Sequence, residues 1–167
     1  MANDKKRKQQ LTERAQRESL EFQSDWGAKK RGIVLDERWK KVRDSEISYF
    51  EQQGIIDALY HLTQAIDGIR RELGAEPEPT KGIMAGSITA FLLGIDPKNP
   101  MECSDTINPD DFLNKLPLQL TLHYDGEVRN KVADWLKDNG YEMSTYMGQP
   151  MIKLTNARVV IKRVIKY

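Results

Sequence analysis

The sequence predicts an α+β fold, in which an N-terminal helical arm and further helices are followed by a small mixed sheet with packed helices. Three observations support this prediction. Apolar residues recur at helical spacing through residues 36–73, apolar and polar residues alternate along Leu116–Tyr124, and Gly148-Gln149 separates two strand-like segments. We therefore expect residues 1–31 to form a basic helical or partly disordered arm, and residues 32–167 to form a single α+β domain.

The composition is typical of a globular chain that does not enter a membrane. Of its 167 residues, 39% are hydrophobic and 31% are charged, and no apolar run approaches the roughly 20 residues that a membrane helix requires. Cys103 is the only cysteine, and the histidines are His61 and His123, so we expect neither an internal disulfide nor a zinc site. We predict a cytoplasmic protein without a cofactor.

Charge is distributed unevenly along the chain. Residues 1–43 carry 13 Lys or Arg and 7 Asp or Glu, whereas the remaining residues carry 13 and 18. A basic segment on an acidic body predicts a polyanionic partner for that segment. The alternative is a solvated helix that its charges keep soluble.

The arm consists of good helix formers with a thin apolar stripe, so we expect a long exposed helix that is partly disordered at its tip. The segment Gly27–Gly32 is predicted to be a basic linker. Phe22, Trp26 and Trp39 are candidate anchors for a protein partner. The cations of this region are candidate contacts for nucleic-acid phosphates or a protein partner: Lys5, Lys6, Arg7, Lys8, Arg14, Arg17, Lys29, Lys30 and Arg31.

Two helices are predicted between residues 36 and 73. Asp36 is a plausible N-cap for the first helix, Gly54 interrupts the pattern, and Gly74 ends the second helix. A stiff connector, Glu76–Pro79, follows, because each proline disfavours helix at the residue before it.

The longest apolar run, Ile88–Ile95, predicts a buried central helix over residues 82–95. Pro97 and Pro100 end it. Small residues at its start allow close packing against a neighbour, which is one interpretation of the pattern. The other is a phosphate seat, because free N–H groups and the helix dipole favour an anion there; its residues would be Lys81, Gly82, Gly86 and Ser87.

The C-terminal half predicts the sheet. Leu116–Tyr124 is a half-buried strand, and an amphipathic helix from Val128 to Leu136 follows the turn at Asp125-Gly126. A hairpin around Gly148-Gln149 comes next. The β-branched residues of the last stretch, 157–167, favour a strand, although helical spacing is also present.

The run Lys81-Gly82-Ile83-Met84-Ala85-Gly86-Ser87-Ile88-Thr89-Ala90-Phe91-Leu92-Leu93-Gly94-Ile95, with Pro100-Met101 after it, resembles a stretch of a known family. In the palm region of the C-family replicative DNA polymerases (the bacterial DNA polymerase III alpha subunit) this stretch has the form GRGSxAGSLVAYxLGITxxxPL. The resemblance implies a shortened palm, with a mixed sheet that has Leu118–Leu122 at its centre. Thr121 and His123 stand where that family carries its catalytic aspartates. Without a carboxylate pair to hold Mg²⁺, polymerisation is not expected.

Two functions follow as hypotheses. The first is a non-catalytic, DNA-replication-linked protein that binds nucleic acid or a phosphate group through the basic arm and the Gly-Ser helix start. The second is a small phage-type interaction or assembly protein whose amphipathic arm docks on a protein partner. No Ser-His-Asp, Cys-His or metal-ligand arrangement supports an enzyme.

Overall fold

The computed structural model describes residues 2–78, 87–97, 99–100 and 118–164, and of residues 2–11 the backbone alone. Five helices and one mixed four-stranded sheet lie within these residues, which confirms the predicted α+β fold. None of the described helices is long and apolar enough to cross a membrane. The elements in chain order are α1 (Ala2–Lys30), α2 (Glu37–Gln52), α3 (Ile56–Leu73), α4 (Ile88–Leu92), β1 (Leu118–Asp125), α5 (Arg129–Asp138), β2 (Met143–Tyr146), β3 (Gln149–Leu154) and β4 (Ala157–Val164).

The sheet has the strand order β1-β4-β3-β2. β1 runs parallel to β4, with Leu118 opposite Ala157, while β3 is antiparallel to both β4 and β2. The prediction of a mixed sheet is confirmed, but the prediction that Leu118–Leu122 lies at its centre is wrong. Within the described residues β1 is an edge strand of the sheet, and a single bridge lies beside it, in which the Glu78 N–H donates to the His123 carbonyl at 2.7 Å.

One face of the sheet forms the core. In β1 the residues Leu118, Leu120, Leu122 and Tyr124 are buried, which confirms the predicted half-buried strand. α3 and α5 pack on the sheet. The last stretch forms β4, as its β-branched residues predict, and the hairpin of β2 and β3 turns at Met147 and Gly148, which both have positive φ.

The ends of α2 and α3 lie where the sequence predicts them. The Asp36 carboxylate accepts the Trp39 N–H at 3.0 Å and caps α2. Gly54 and Gly74 have φ of 74° and 64°, a left-handed conformation that glycine adopts without steric cost, and they separate and end the two helices.

α1 differs from its prediction. It is one continuous helix of 29 residues that includes most of the predicted linker Gly27–Gly32. One side of its second half is buried: Leu20 has no accessible surface, and Gln16, Ser24 and Ala28 are also buried. The sequence pattern failed because the buried stripe is polar and small rather than apolar. Polar contacts hold it, such as the Gln16 amide, which donates to the Asp57 carboxylate at 2.7 Å.

The predicted central helix is short in the described residues. α4 comprises five residues, and Gly94, with φ of 80°, ends the turn that follows it. Residues 82–86 lie outside the described part of the chain. Every residue of Ile88–Ile95 is buried, so the predicted depth is confirmed. A small cluster of Ala28, Ile88, Phe91 and Leu92 joins α1 to α4.

Candidate nucleic-acid interface

The side of α1 that faces away from the body carries two large exposed aromatic residues. Phe22 is 70% exposed and Trp26 is 53% exposed, although both lie on a helix whose opposite side is buried. Lys29 and Lys30 are exposed in the last turn, and the Lys29 ammonium lies 5.9 Å from the Trp26 ring centroid. We call Phe22, Trp26, Lys29 and Lys30 the outer strip of α1.

A glycine allows α1 to lie against α4. A Cβ placed on Gly27 would collide with the Leu92 carbonyl, so only glycine permits this approach. The Arg31 guanidinium then closes the end of α1, where it donates to the carbonyls of Gly27 at 2.9 Å and Leu92 at 3.4 Å. It also lies over the Phe91 ring, 5.0 Å from the centroid. Burial and the nearby Arg70 lower the pKa of Arg31.

Besides Arg31, two of the predicted phosphate contacts have partners within the fold. Arg14 pairs with Glu18 at 3.4 Å. Arg17 donates to Glu21 at 3.1 Å and to the Glu51 carboxylate of α2, and the Glu51 bond is the largest cause of the raised pKa of Arg17. The Arg17 guanidinium therefore links α1 to α2, whereas the exposed Arg14–Glu18 pair lies within α1.

The cleft beside these arginines is acidic. It runs between α1, the start of α3 and the β3–β4 turn. Its walls contain more carboxylates than cations, and the cations are Arg14 and Arg17. Such a cleft repels a polyanion, which leaves the outer strip as the better place for nucleic acid. The acidic side chains of the walls are Glu13, Glu18, Glu21, Glu51 and Asp57.

The first turns of α1 carry the other predicted cations. The backbone of these residues is helical, and their side chains lie outside the described part of the structure. They belong to the same continuous helix as the outer strip: Lys5, Lys6, Arg7 and Lys8.

At the start of α4 an internal carboxylate is found where we predicted a phosphate. The Ser87 hydroxyl donates to Glu46 Oε1 at 2.8 Å, and the backbone N–H groups of Ile88 and Thr89 donate to the same carboxylate at 3.2 and 2.8 Å. Ser87 is also the N-cap, because its Oγ accepts the Ala90 N–H at 3.0 Å. The other residues of the predicted seat, Lys81, Gly82 and Gly86, lie outside the described residues.

Burial raises the pKa of Glu46, although its hydrogen bonds to Thr89, Ser87 and Ile88 offset part of this increase. A phosphate at this place would have to displace a carboxylate that already accepts three hydrogen bonds. The phosphate seat stays a prediction, and the sequence pattern did not identify Glu46, which lies about 40 residues earlier in the chain.

The positions aligned with catalytic aspartates lie on the face of β1 opposite the core. Thr121 and His123 are half-buried there, and Lys162 lies opposite His123 on β4. Burial, with a smaller effect of Lys162, lowers the pKa of His123. Within the residues described, no group of three or more His, Cys, Asp or Glu is placed to hold a metal ion.

No protein-family model matches this chain, and a search of curated proteins finds no match.

Proposed function

We propose that this chain is a non-catalytic protein that binds nucleic acid through α1. The observation that supports this function is the outer strip, where exposed aromatic rings and exposed ammonium groups share one side of a helix. Proteins that bind single strands combine these two groups, because bases stack on aromatic rings while cations pair with phosphates. The opposite side of α1 is buried, so the strip is held on a fixed support.

The length of α1 also supports the proposal. Residues 5 and 30 belong to one helix, which spans about 38 Å between them at the usual rise per residue. The basic residues at its beginning, Lys5–Lys8, and those at its end, Lys29 and Lys30, therefore lie far apart along one rod. A single strand that follows this rod would meet cations at both ends and aromatic rings between them.

The link to DNA replication in the cytoplasm is a part of the proposal that rests on the resemblance of Lys81–Met101 to a polymerase palm. In this view the chain is a palm that keeps a binding role without nucleotidyl transfer. We place the contact on α1 rather than on the α4 start, because the Glu46 carboxylate already accepts the donors of Ser87, Ile88 and Thr89.

Docking on a protein is the second candidate function, and the same aromatic residues favour it. Phe22 and Trp26 are large, exposed and adjacent, and aromatic anchors of this kind supply much of the affinity of protein interfaces. A phage-type assembly protein would use α1 in this way. The two functions differ in salt dependence, because counterion release dominates nucleic-acid binding.

The test is a fluorescence titration of single-stranded and duplex DNA at several salt concentrations. Point variants are needed, because deletion of residues 1–31 would remove Leu20 and Ala28 from the core. The variant is the pair Lys29→Gln and Lys30→Gln. The matched control is Lys40→Gln with Lys41→Gln, a neighbouring pair of exposed lysines on α2.

We expect single-stranded DNA to bind and to bind more weakly as salt increases. The logarithm of the binding constant should fall with a slope of about −0.7 per phosphate contact, so the loss of two contacts should reduce the slope by about 1.4. The α2 control should keep the wild-type slope. Failure to bind either DNA at low salt would contradict nucleic-acid binding, and a salt-insensitive complex with a purified protein partner would then support docking.

A further inference from the structure

A second group of cations lies where the parallel strands β1 and β4 end, at the opposite end of β4 from the β3–β4 turn. Asp125 and Val164, the last residues of the two strands, are opposite each other in the ladder. The chain leaves β1 through Gly126, whose Cβ position would lie 3.9 Å from the Val164 carbonyl oxygen, and α5 then begins at Arg129. Crevices beyond the carboxyl ends of parallel strands are common binding places.

The start of α5 has no side-chain cap. Val128 occupies the N-cap position, and its side chain cannot accept a hydrogen bond from the first turn. The first helical bond is that of the Val132 N–H to the Val128 carbonyl at 3.0 Å, so the amides of Arg129, Asn130 and Lys131 precede the helical ladder. The N-terminal end of a ten-residue helix thus presents donors and a partial positive charge.

Arg129 supplies an independent observation at the same place. It is only 8% exposed, yet its guanidinium forms a single hydrogen bond, from Nη1 to the Gln149 amide oxygen at 3.2 Å. Its Nε is buried without a hydrogen-bond partner, and no carboxylate of the described residues forms an ion pair with it. A buried charge without an anionic partner is costly, so an anion that accepted the Nε–H of Arg129 would offset this cost.

A second arginine increases the positive charge. Arg163, on β4, is exposed, and its Nη2 lies 3.4 Å from Oδ1 of Asn130 in the first turn of α5. Burial and then repulsion by Arg163 lower the pKa of Arg129. Asp125 is in the turn, where its carboxylate accepts the Glu127 N–H at 3.1 Å.

We propose that Arg129, Arg163 and the uncapped start of α5 bind a phosphoryl group. A guanidinium can donate two parallel hydrogen bonds to phosphate oxygens, and the backbone amides of a helix start suit the remaining oxygens. The Nε of Arg129 would gain its partner in the complex. This site does not depend on the function proposed for α1, because it uses none of the same residues.

The test is a titration followed by the backbone amide signals of Gly126, Arg129, Asn130 and Lys131 in nuclear magnetic resonance spectra. Inorganic phosphate is the first probe, added against chloride at constant ionic strength. A single-stranded oligonucleotide without terminal phosphates is the second probe, and it separates a phosphodiester source from a small phosphorylated molecule. The variants are Arg129→Gln and Arg163→Gln, and Arg158→Gln is the control, because Arg158 is an exposed arginine near the other end of β4.

We expect saturable shifts of these amides with at least one probe, and a dissociation constant about tenfold higher in Arg129→Gln and Arg163→Gln, since a charged hydrogen bond is lost in each. Arg158→Gln should bind as the wild type does. Saturation by phosphate alone identifies a small phosphorylated ligand, and saturation by the oligonucleotide alone identifies a nucleic-acid backbone.

Two results would overturn the site. One is the absence of saturable shifts at these amides with both probes. The other is that the wild type and Arg163→Gln bind the probe with equal affinity. Because Arg163 is exposed, this variant should fold as the wild type does, and the test does not depend on folding.

Discussion

At the scale of single residues, Glu46 shows that the chain supplies its own anion to a helix start. Its carboxylate accepts the Ser87 hydroxyl and the backbone N–H groups of Ile88 and Thr89, so a side chain of α2 fixes the first turn of α4. The helix has five residues and could not persist without such external contacts. Glu46 is therefore a structural residue that links two elements.

Replacement of Glu46 by glutamine should lower the free energy of unfolding by about 1–3 kcal/mol, because the side-chain NH2 group of glutamine would replace a carboxylate oxygen that accepts hydrogen bonds from N–H groups.

This difference in the free energy of unfolding between the wild type and Glu46→Gln should also depend on pH. Burial raises the pKa of Glu46 above its ordinary value of 4.5, so the folded protein holds this proton more tightly than the unfolded chain does. The contribution of this tighter proton binding to the free energy of unfolding is fully present below pH 4.5. It is lost as the pH rises through the pKa that Glu46 has in the folded protein.

Urea denaturation at a series of pH values measures this effect. The free energy of unfolding of the wild type minus that of Glu46→Gln should decrease from acidic pH to neutrality. Glu37→Gln, which removes an exposed carboxylate of the same helix, is the control and should show a much smaller dependence. A difference that increases with pH would contradict the raised pKa.

Gly27 is the second residue with a specific role. We expect Gly27→Ala to destabilise the protein by about 1–3 kcal/mol, because the new methyl group would push α1 away from the Leu92 carbonyl. Helix propensity alone predicts the opposite, a gain of about 1 kcal/mol for alanine. Thermal unfolding of Gly27→Ala decides between these two expectations. Ala15→Gly, at an exposed position of α1, measures the effect of helix propensity alone. A stabilised Gly27→Ala variant would contradict the close contact.

At the scale of elements, local signals predicted most boundaries. The cap at Asp36, the glycines Gly54 and Gly74 and the alternation of β1 act over a few residues, so the sequence shows them directly. The edge position of β1 depends on a parallel pairing with β4, about 40 residues later, and no local pattern encodes it. The same limit applies to Arg129, whose hydrogen-bond partner Gln149 lies 20 residues later in the chain.

The β2–β3 hairpin provides a test of turn chemistry. Met147 has φ of 49° and is 85% exposed, so an apolar side chain occupies a left-handed position in solvent. Met147→Asn would give the Asn-Gly pair that such two-residue turns favour, and we expect a gain of about 0.5–1 kcal/mol in the free energy of unfolding. The control is Val34→Asn, because Val34 is exposed and does not have a positive φ. A Met147→Asn variant with a lower free energy of unfolding than the wild type would contradict the turn geometry.

At the scale of the whole molecule, α1 is the element whose packing the sequence predicted least well. Its helical nature and its charge were visible, but its burial was not, because Gln16, Ser24 and Ala28 do not form an apolar stripe. They pack through polar contacts and small size, as in the bond from Arg43 Nη1 to the Ser24 hydroxyl at 3.1 Å. The phosphate seat was predicted from local spacing, whereas Glu46, which accepts the donors at the start of α4, lies on another helix.

Removal of residues 1–31 should therefore abolish cooperative folding. Loss of Leu20 alone is expected to cost about 2–5 kcal/mol, a large share of the roughly 5–15 kcal/mol that stabilises a domain. Deletion of residues 1–11 leaves the buried stripe in place and should retain a cooperative transition. Circular dichroism during heating measures the unfolding transition of both deletion variants. If the protein without residues 1–31 showed a cooperative transition with the same midpoint as the wild type, the packing of α1 would be contradicted.

The central claim is that the outer strip of α1 binds nucleic acid, and the affinity of a Phe22→Ala, Trp26→Ala variant for single-stranded DNA tests it most directly. Each stacked base contributes about 1–3 kcal/mol, so the variant should bind at least about tenfold more weakly at the same salt concentration. Its melting temperature should remain close to that of the wild type, because both side chains are exposed. Wild-type affinity in this folded variant would contradict the claim.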